Sequence, residues 1–156
     1  MAINEFTSQS AWISVSNATD TELVISGANT WTTLNLSSVA TLSRYNFEVP
    51  DVDTPQLVPE IKGVFLLNAC MTTSGASNNL LGIRMGVGNG GGFTYALPEL
   101  IYTSKGGNEW AVNYNAIMEV YRLNTGNDHF IIQGKNVGAT NNITFNYLNI
   151  SITKLY

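Results

Sequence analysis

Few residues in this chain are able to do chemistry. There is one histidine, His129, and it directly follows Asp128. A nucleophile–histidine–acid triad needs its acid to orient the imidazole from elsewhere in space, whereas adjacent residues of a strand point to opposite sides. The pair is therefore read as non-catalytic, with a pH-sensitive interface contact as the milder alternative for His129. The one cysteine, Cys70, lies in the apolar run VFLLNACM. A thiol in such a run is expected to be a buried small hydrophobe rather than a nucleophile. His129 and Cys70 alone fall short of the about four ligands that a zinc ion takes. A single cysteine also leaves no partner for a disulfide within the chain.

The acidic residues offer two arrangements. Asp51 and Asp53 stand two apart in the loop PDVDTPQLVP, with Glu48 and Glu60 near in sequence. Calcium wants about six oxygens in a glycine-centred loop, and that spacing is missing, so the reading is a solvated acidic loop. Glu99, Glu109 and Glu119 could converge as the carboxylate pair of a glycoside hydrolase, but nothing in their spacing selects a pair. After Arg84 the string GVGNGG satisfies the glycine pattern of dinucleotide sites. That motif needs a helix next, to set its N-terminus against the pyrophosphate, but the adjoining residues FTYAL have the character of a strand. Asn89-Gly90 instead marks a hairpin. Trp12, Trp31, Tyr95, Tyr102 and Trp110 could stack on sugars, although rings in a sandwich more often serve core or subunit contacts. No catalytic residue, metal site or cofactor is expected, and the chain reads as a non-enzyme.

Composition narrows the partners. The 156 residues are 44% apolar but only 12% charged, about half the usual charged share. The net charge is -4, and the seven basic residues form no patch, so nucleic acid and anionic membrane are not expected partners. Asn, Ser, Thr and Gly fill the surface instead, which suits wide, flat protein contacts. No apolar run reaches the ~18 residues that span a bilayer. The start, MAINEFTSQS, lacks the basic and apolar regions of a signal peptide.

The elements that must position these residues are strands. The closing stretch NITFNYLNISITKLY alternates from Tyr147 onward, with Leu148, Ile150 and Ile152 on one side and Asn149, Ser151 and Thr153 on the other. So apolar a strand is expected at the centre of a sheet, since unpaired it would aggregate. Ile61 to Met71 is apolar on both faces through Val64–Phe65–Leu66–Leu67, as a strand covered on both sides would be. Leu42 to Val49 puts Tyr45, Phe47 and Val49 on one face. Thr72 to Asn79 reads as a turn, and Pro98 bends the segment Phe93 to Ser104. Glu109 to Arg122 reads as a long strand with a bulge. Turn signals recur about every dozen residues, the pattern of an all-β antiparallel sandwich. The count is about eight to ten strands, matching a jelly roll. Residues 1–10 form a polar arm and residues 11–156 one jelly-roll domain.

Four features carry a family resemblance: KGVFLLNACM followed by a polar loop; LLGIRMGVGNGGG with its central Arg84; the long strand from Trp110 to Arg122, ending in a Thr-Gly turn before HFIIQG; and the closing YLNISITKL. From about Trp31 onward the chain resembles the trimeric jelly roll of the tumour necrosis factor and complement globular head type, in the form found in bacteriophage virion proteins. The resemblance implies a homotrimeric, non-enzymatic virion protein. No collagen or coiled-coil stalk precedes the head, which points to a capsid decoration, or cement, protein that binds the major capsid protein at the virion surface and is made in the host cytoplasm. The alternative is the receptor-binding head of a tail or capsid fibre, recognising host glycans. A polysaccharide-degrading enzyme and a secreted cytokine-like ligand are weaker readings, the latter opposed by the missing signal peptide. Tyr114, Met118, Phe145 and Tyr147 are expected at the trimer interface, on the outer face of one sheet. Ile3 and Phe6 in the arm, and Asp51 and Asp53 in the Pro50 to Pro59 loop, are expected to meet the capsid.

Overall fold

A computed structural model describes residues 9–53, 55–89, 92–104, 109–120 and 128–156, with residues 92, 94 and 95 as backbone only. It is all-β and antiparallel. Among the described residues eleven strands run in chain order: β1 Trp12–Ser16, β2 Thr21–Leu23, β3 Thr32–Thr33, β4 Ala40–Tyr45, β5 Gly63–Gly75, β6 Leu80–Asn89, β7 Gly92–Ala96, β8 Leu100–Thr103, β9 Trp110–Val120, β10 His129–Asn136 and β11 Ile143–Lys154. The first sheet, A, has the order β4-β1-β11-β5-β9, with β2 pairing the start of β11. The second, B, has the order β3-β10-β6-β7, with β8 also pairing β6. The segment holding Pro98 divides into β7 and β8: proline has no N–H to give a ladder.

The closing strand lies where its pattern places it, between β1 and β5. Ile143, Phe145, Leu148, Ile150 and Ile152 are all buried in the interior. These numbers change parity, from odd to even, because the β11–β5 register shifts between Phe145 and Tyr147. The bulge is held from far along the chain. The Asn17 side chain donates to the Phe145 carbonyl at 2.9 Å and accepts from the Leu148 N–H at 2.7 Å. Ser74 Oγ donates to the amide oxygen of Asn146 at 2.8 Å. Asn17 thereby satisfies two backbone groups at the bulge, the Phe145 carbonyl and the Leu148 N–H.

Inward side chains of both sheets interleave into one core. Phe47, Phe65 and Phe130 meet at its base: Phe65 lies edge-on to Phe47 (5.8 Å between centroids) and to Phe130 (5.7 Å). Such geometry matches the positive ring edge to the negative face. The sheets approach so closely at Gly134 that an added Cβ would come within 2.5 Å of Leu23 Cδ2. Tyr114 ties β9 across the core, its hydroxyl donating to the Ile83 carbonyl at 2.7 Å.

Burial pushes the Tyr114 phenol up to about 12; a Leu100 backbone bond opposes the rise and the Glu99 charge adds to it. The unfolded chain ionises this group near its ordinary value of about 10. Its stabilisation is therefore complete below about pH 10 and is lost as pH rises toward 12. Tyr114→Phe should cost about 1–2 kcal/mol in denaturant melts at pH 7, and should flatten the stability loss between about pH 10 and 12.

Three local expectations are corrected. Tyr45 and Phe47 do not share a face: Asn46 adopts φ 53°, which turns Tyr45 outward while Phe47 is fully buried. The turn placed at Thr72 begins later, because β5 runs on to Gly75 against β11 and, as far as Thr73, against β9. The β5–β9 register runs without a shift from Gly63–Val120 to Thr73–Trp110, so the bulge expected in β9 is absent among the described residues.

Candidate assembly surface

The outer face of sheet A is built in rows fixed by register. Tyr45, Trp12, Thr153, Leu66 and Ile117 stand side by side across β4, β1, β11, β5 and β9. The next row is Ser43, Ser14, Ser151, Asn68 and Asn115. Then come Ser16, Asn149, Cys70 and Asn113, and finally Tyr147, Thr72 and Ala111. Not one residue in these four rows carries a charge. Two rows are hydroxyl- and amide-rich, and the apolar row is prominent: Ile117 is 65% exposed, and Trp12 (40% exposed) stacks on Tyr45 at 5.0 Å.

This face explains the double-sided apolar run in β5. Phe65, Leu67, Ala69 and Met71 point into the core. Their alternates on the outer face are Leu66, half-buried, and Asn68 and Cys70, both exposed. Among the described residues nothing supplies a second cover for this interior strand. Cys70 is accordingly not the buried residue the sequence suggested. Its apolar neighbours in the run VFLLNACM belong to the inward set, and the two-residue period sends the thiol outward.

Of the expected interface residues, only Tyr147 lies on this face, 44% exposed. Tyr114, Met118 and Phe145 face the interior, at 6%, 2% and 0% exposure. On β9 the set Val112, Tyr114, Met118, Val120 is the more apolar one and takes the core, leaving Asn113, Asn115, Ile117 and Glu119 outside. On β11 the bulge puts Phe145 and Tyr147 on opposite faces. Ile117, Leu66, Trp12 and Tyr45, which were not expected there from the sequence, take their place; the apolar residue in an outward position was the available signal.

A second apolar surface lies at the β8–β9 edge, where Leu100, Ile101 and Trp110 are exposed and Tyr102 packs on Trp110 at 5.3 Å. The hydroxyls of Tyr102 and Thr73 bond to each other and fix that ring. Asp51 and Asp53 form an exposed loop tip around Val52, with the Asp53 N–H on Asp51 Oδ1 at 2.9 Å. Leu57 and Pro59 bridge to Phe130 and Phe47 and pin the rest of that loop to the body. Ile3 and Phe6 lie outside the described residues, as does the Tyr95 side chain.

The structure also places the residues whose types suggested chemistry. Glu109 and Glu119 stand ten positions apart along one straight strand, about 33 Å, and Glu99 is paired with Lys135 at 3.0 Å. Asn89 pairs with Gly92, so β6 and β7 on either side of the glycine string are antiparallel neighbours. Asp128 and His129 are both buried at the start of β10. No cluster of three metal-ligating side chains occurs among the described residues.

Solved structures share this arrangement. Murine APRIL matches 94% of this chain and 100% of its own, at 9% identity and a TM-score of 0.59. The PRD1 vertex protein P5 matches 94% and 97% respectively, at 16% identity and 0.57. Eiger TNF from S. frugiperda matches 94% and 92%, at 9% identity and 0.61. The chain thus has the jelly roll of the tumour necrosis factor type, and a vertex protein has it too. Identities this low establish the fold alone. No protein-family model matches the chain, and no curated protein sequence matches it.

Proposed function

We propose that this protein is a non-enzymatic virion structural protein: a homotrimer that decorates the outer capsid surface and stabilises it. The observation that carries the reading is the outer face of sheet A, whose four middle rows hold no charged residue and which no other described residue covers. Depletion of charge with exposed Trp, Tyr and Ile is the composition of an interface core. The face and the β8–β9 edge are different patches of one chain. Two unlike patches favour head-to-tail contact, which closes into a ring when the rotation allows. The number three comes from the resemblance to trimeric jelly rolls, and the virion setting from the fold shared with a phage vertex protein. Tyr147 is kept as an interface residue beside Trp12, Leu66 and Ile117.

Three copies of each contact loop on one rigid body turn weak contacts into firm attachment by raising their effective concentration. The Asp51–Asp53 tip and the arm bearing Ile3 and Phe6 are the proposed contacts to the major capsid protein. Capsids stripped of the protein should rebind it in cosedimentation and resist heat or low salt better afterwards; failure to rebind removes the decoration role.

A second reading, the glycan-binding head of a fibre, is favoured by a polar cleft of about 420 Å³ lined by Glu22, Ser74, Asn141, Asn142 and Thr144. A glycan array probed with the purified protein separates the two: sugar binding without capsid rebinding supports the head.

A further inference from the structure

Sheet B presents a different chemistry. Leu81, Ile83, Met85 and Val87 of β6 are buried in the core, so its outward positions are Gly82, Arg84, Gly86 and Gly88. Arg84 is the one side chain that this stretch sends outward, and it is held on three sides. Its Nε and Nη2 both donate to Gln133 Oε1, at 3.0 and 2.6 Å. Gln133 Nε2 in turn donates to Thr33 Oγ1 at 3.0 Å, a relay across β6, β10 and β3. The guanidinium carbon lies 4.0 Å from the centre of the Trp31 ring and 4.8 Å from that of Phe93. The neighbouring carboxylate, Glu99, is engaged by Lys135 at 3.0 Å. With Nε and Nη2 engaged by Gln133, Nη1 is the remaining edge of the fork.

We infer that Arg84 is a binding residue whose Nη1 edge takes the carboxylate of an acidic side chain on a protein partner. Partial burial holds this guanidinium below its ordinary value, with the Glu99 charge opposing the shift. The fork is already fixed by Gln133 and two rings, so little rotamer freedom remains to be lost on binding, and a planar fork is what two-point carboxylate recognition uses. A protein side chain fits better than a sugar acid because Trp31 already carries Arg84 and, at 4.4 Å, the Lys135 ammonium over its ring. That leaves the indole poorly placed to stack on a pyranose. The site lies on the sheet opposite the proposed trimer face, so it goes beyond the assembly reading, and its test does not depend on the trimer forming.

The test titrates the full chain, at low ionic strength, with a short blocked peptide of three glutamates and with its glutamine counterpart. The readout is the Arg84 Nε–Hε resonance of a nitrogen-labelled sample, assigned by its loss in Arg84→Lys. The glutamate peptide should give a saturable shift at Arg84 and at the Trp31 indole that weakens with added salt; the glutamine peptide should give none. Arg84→Gln should weaken binding about tenfold or more, and Arg84→Lys, which keeps charge without the fork, should fall between. No shift, binding unchanged in Arg84→Gln, or an equal response to N-acetylneuraminic acid or inorganic phosphate overturns the proposal. Should Arg84→Gln fail to fold, the contrast between the two peptides on the unaltered protein decides.

Discussion

Phe65→Ala should lower the unfolding free energy by about 3–5 kcal/mol, at the upper end for a single core truncation. Phe65 is fully buried on β5, an interior strand of sheet A, and its ring meets Phe47, from the segment after β4, and Phe130, from sheet B. Removing the ring takes away its transfer free energy and leaves a void. The two edge-on contacts are lost with it, and the remaining Phe47–Phe130 pair, 6.4 Å apart, cannot close the gap without moving a sheet. Guanidinium unfolding at fixed protein concentration measures the effect. The midpoint should fall with little change in slope; a loss under about 1 kcal/mol would mean that the three rings are not the joint between the sheets.

Leu66→Asp should abolish assembly while leaving the protomer folded. Leu66 is the immediate neighbour of Phe65, yet it points to the opposite face, between Thr153 and Ile117, in the middle of the apolar row. In a lone protomer the carboxylate meets water and costs little. In the proposed interface every copy would bury a charge without a partner, at several kcal/mol each, so association should weaken at least about a hundredfold. Sedimentation velocity should then show a single-chain species whose far-ultraviolet circular dichroism matches the parent. The contrast between adjacent residues is the diagnostic: Phe65→Ala acts on folding, Leu66→Asp on association. If Leu66→Asp unfolds the chain instead, the face belongs to the protomer's own structure.

The sequence revealed most where one strand's side chains decide the outcome. The closing strand's Leu148, Ile150 and Ile152 announce a buried face, and Pro98 announces a break. It revealed least where distant residues decide. The bulge that separates Phe145 from Tyr147 is held by Asn17, 128 positions from Phe145, and nothing local to β11 signals it. Asn46 at φ 53° turns Tyr45 and Phe47 apart in the same hidden way. Within β9, by contrast, the alternation is readable: Val112, Tyr114, Met118 and Val120 outweigh their alternates in apolar bulk. The residue types of Tyr114 and Met118 suit an interface, but their phase sends them inward. The double-faced run in β5 is legible as a strand needing two covers. Only the structure shows that the described residues supply one.

The most direct measurement is the solution mass of the unaltered chain by light scattering over a dilution series. The account requires a species of three times the 16.9 kDa chain mass that persists into the low-micromolar range. A well-folded particle of one chain mass at every concentration would contradict it, for the bare face of sheet A would then have no copy of the protein to cover it.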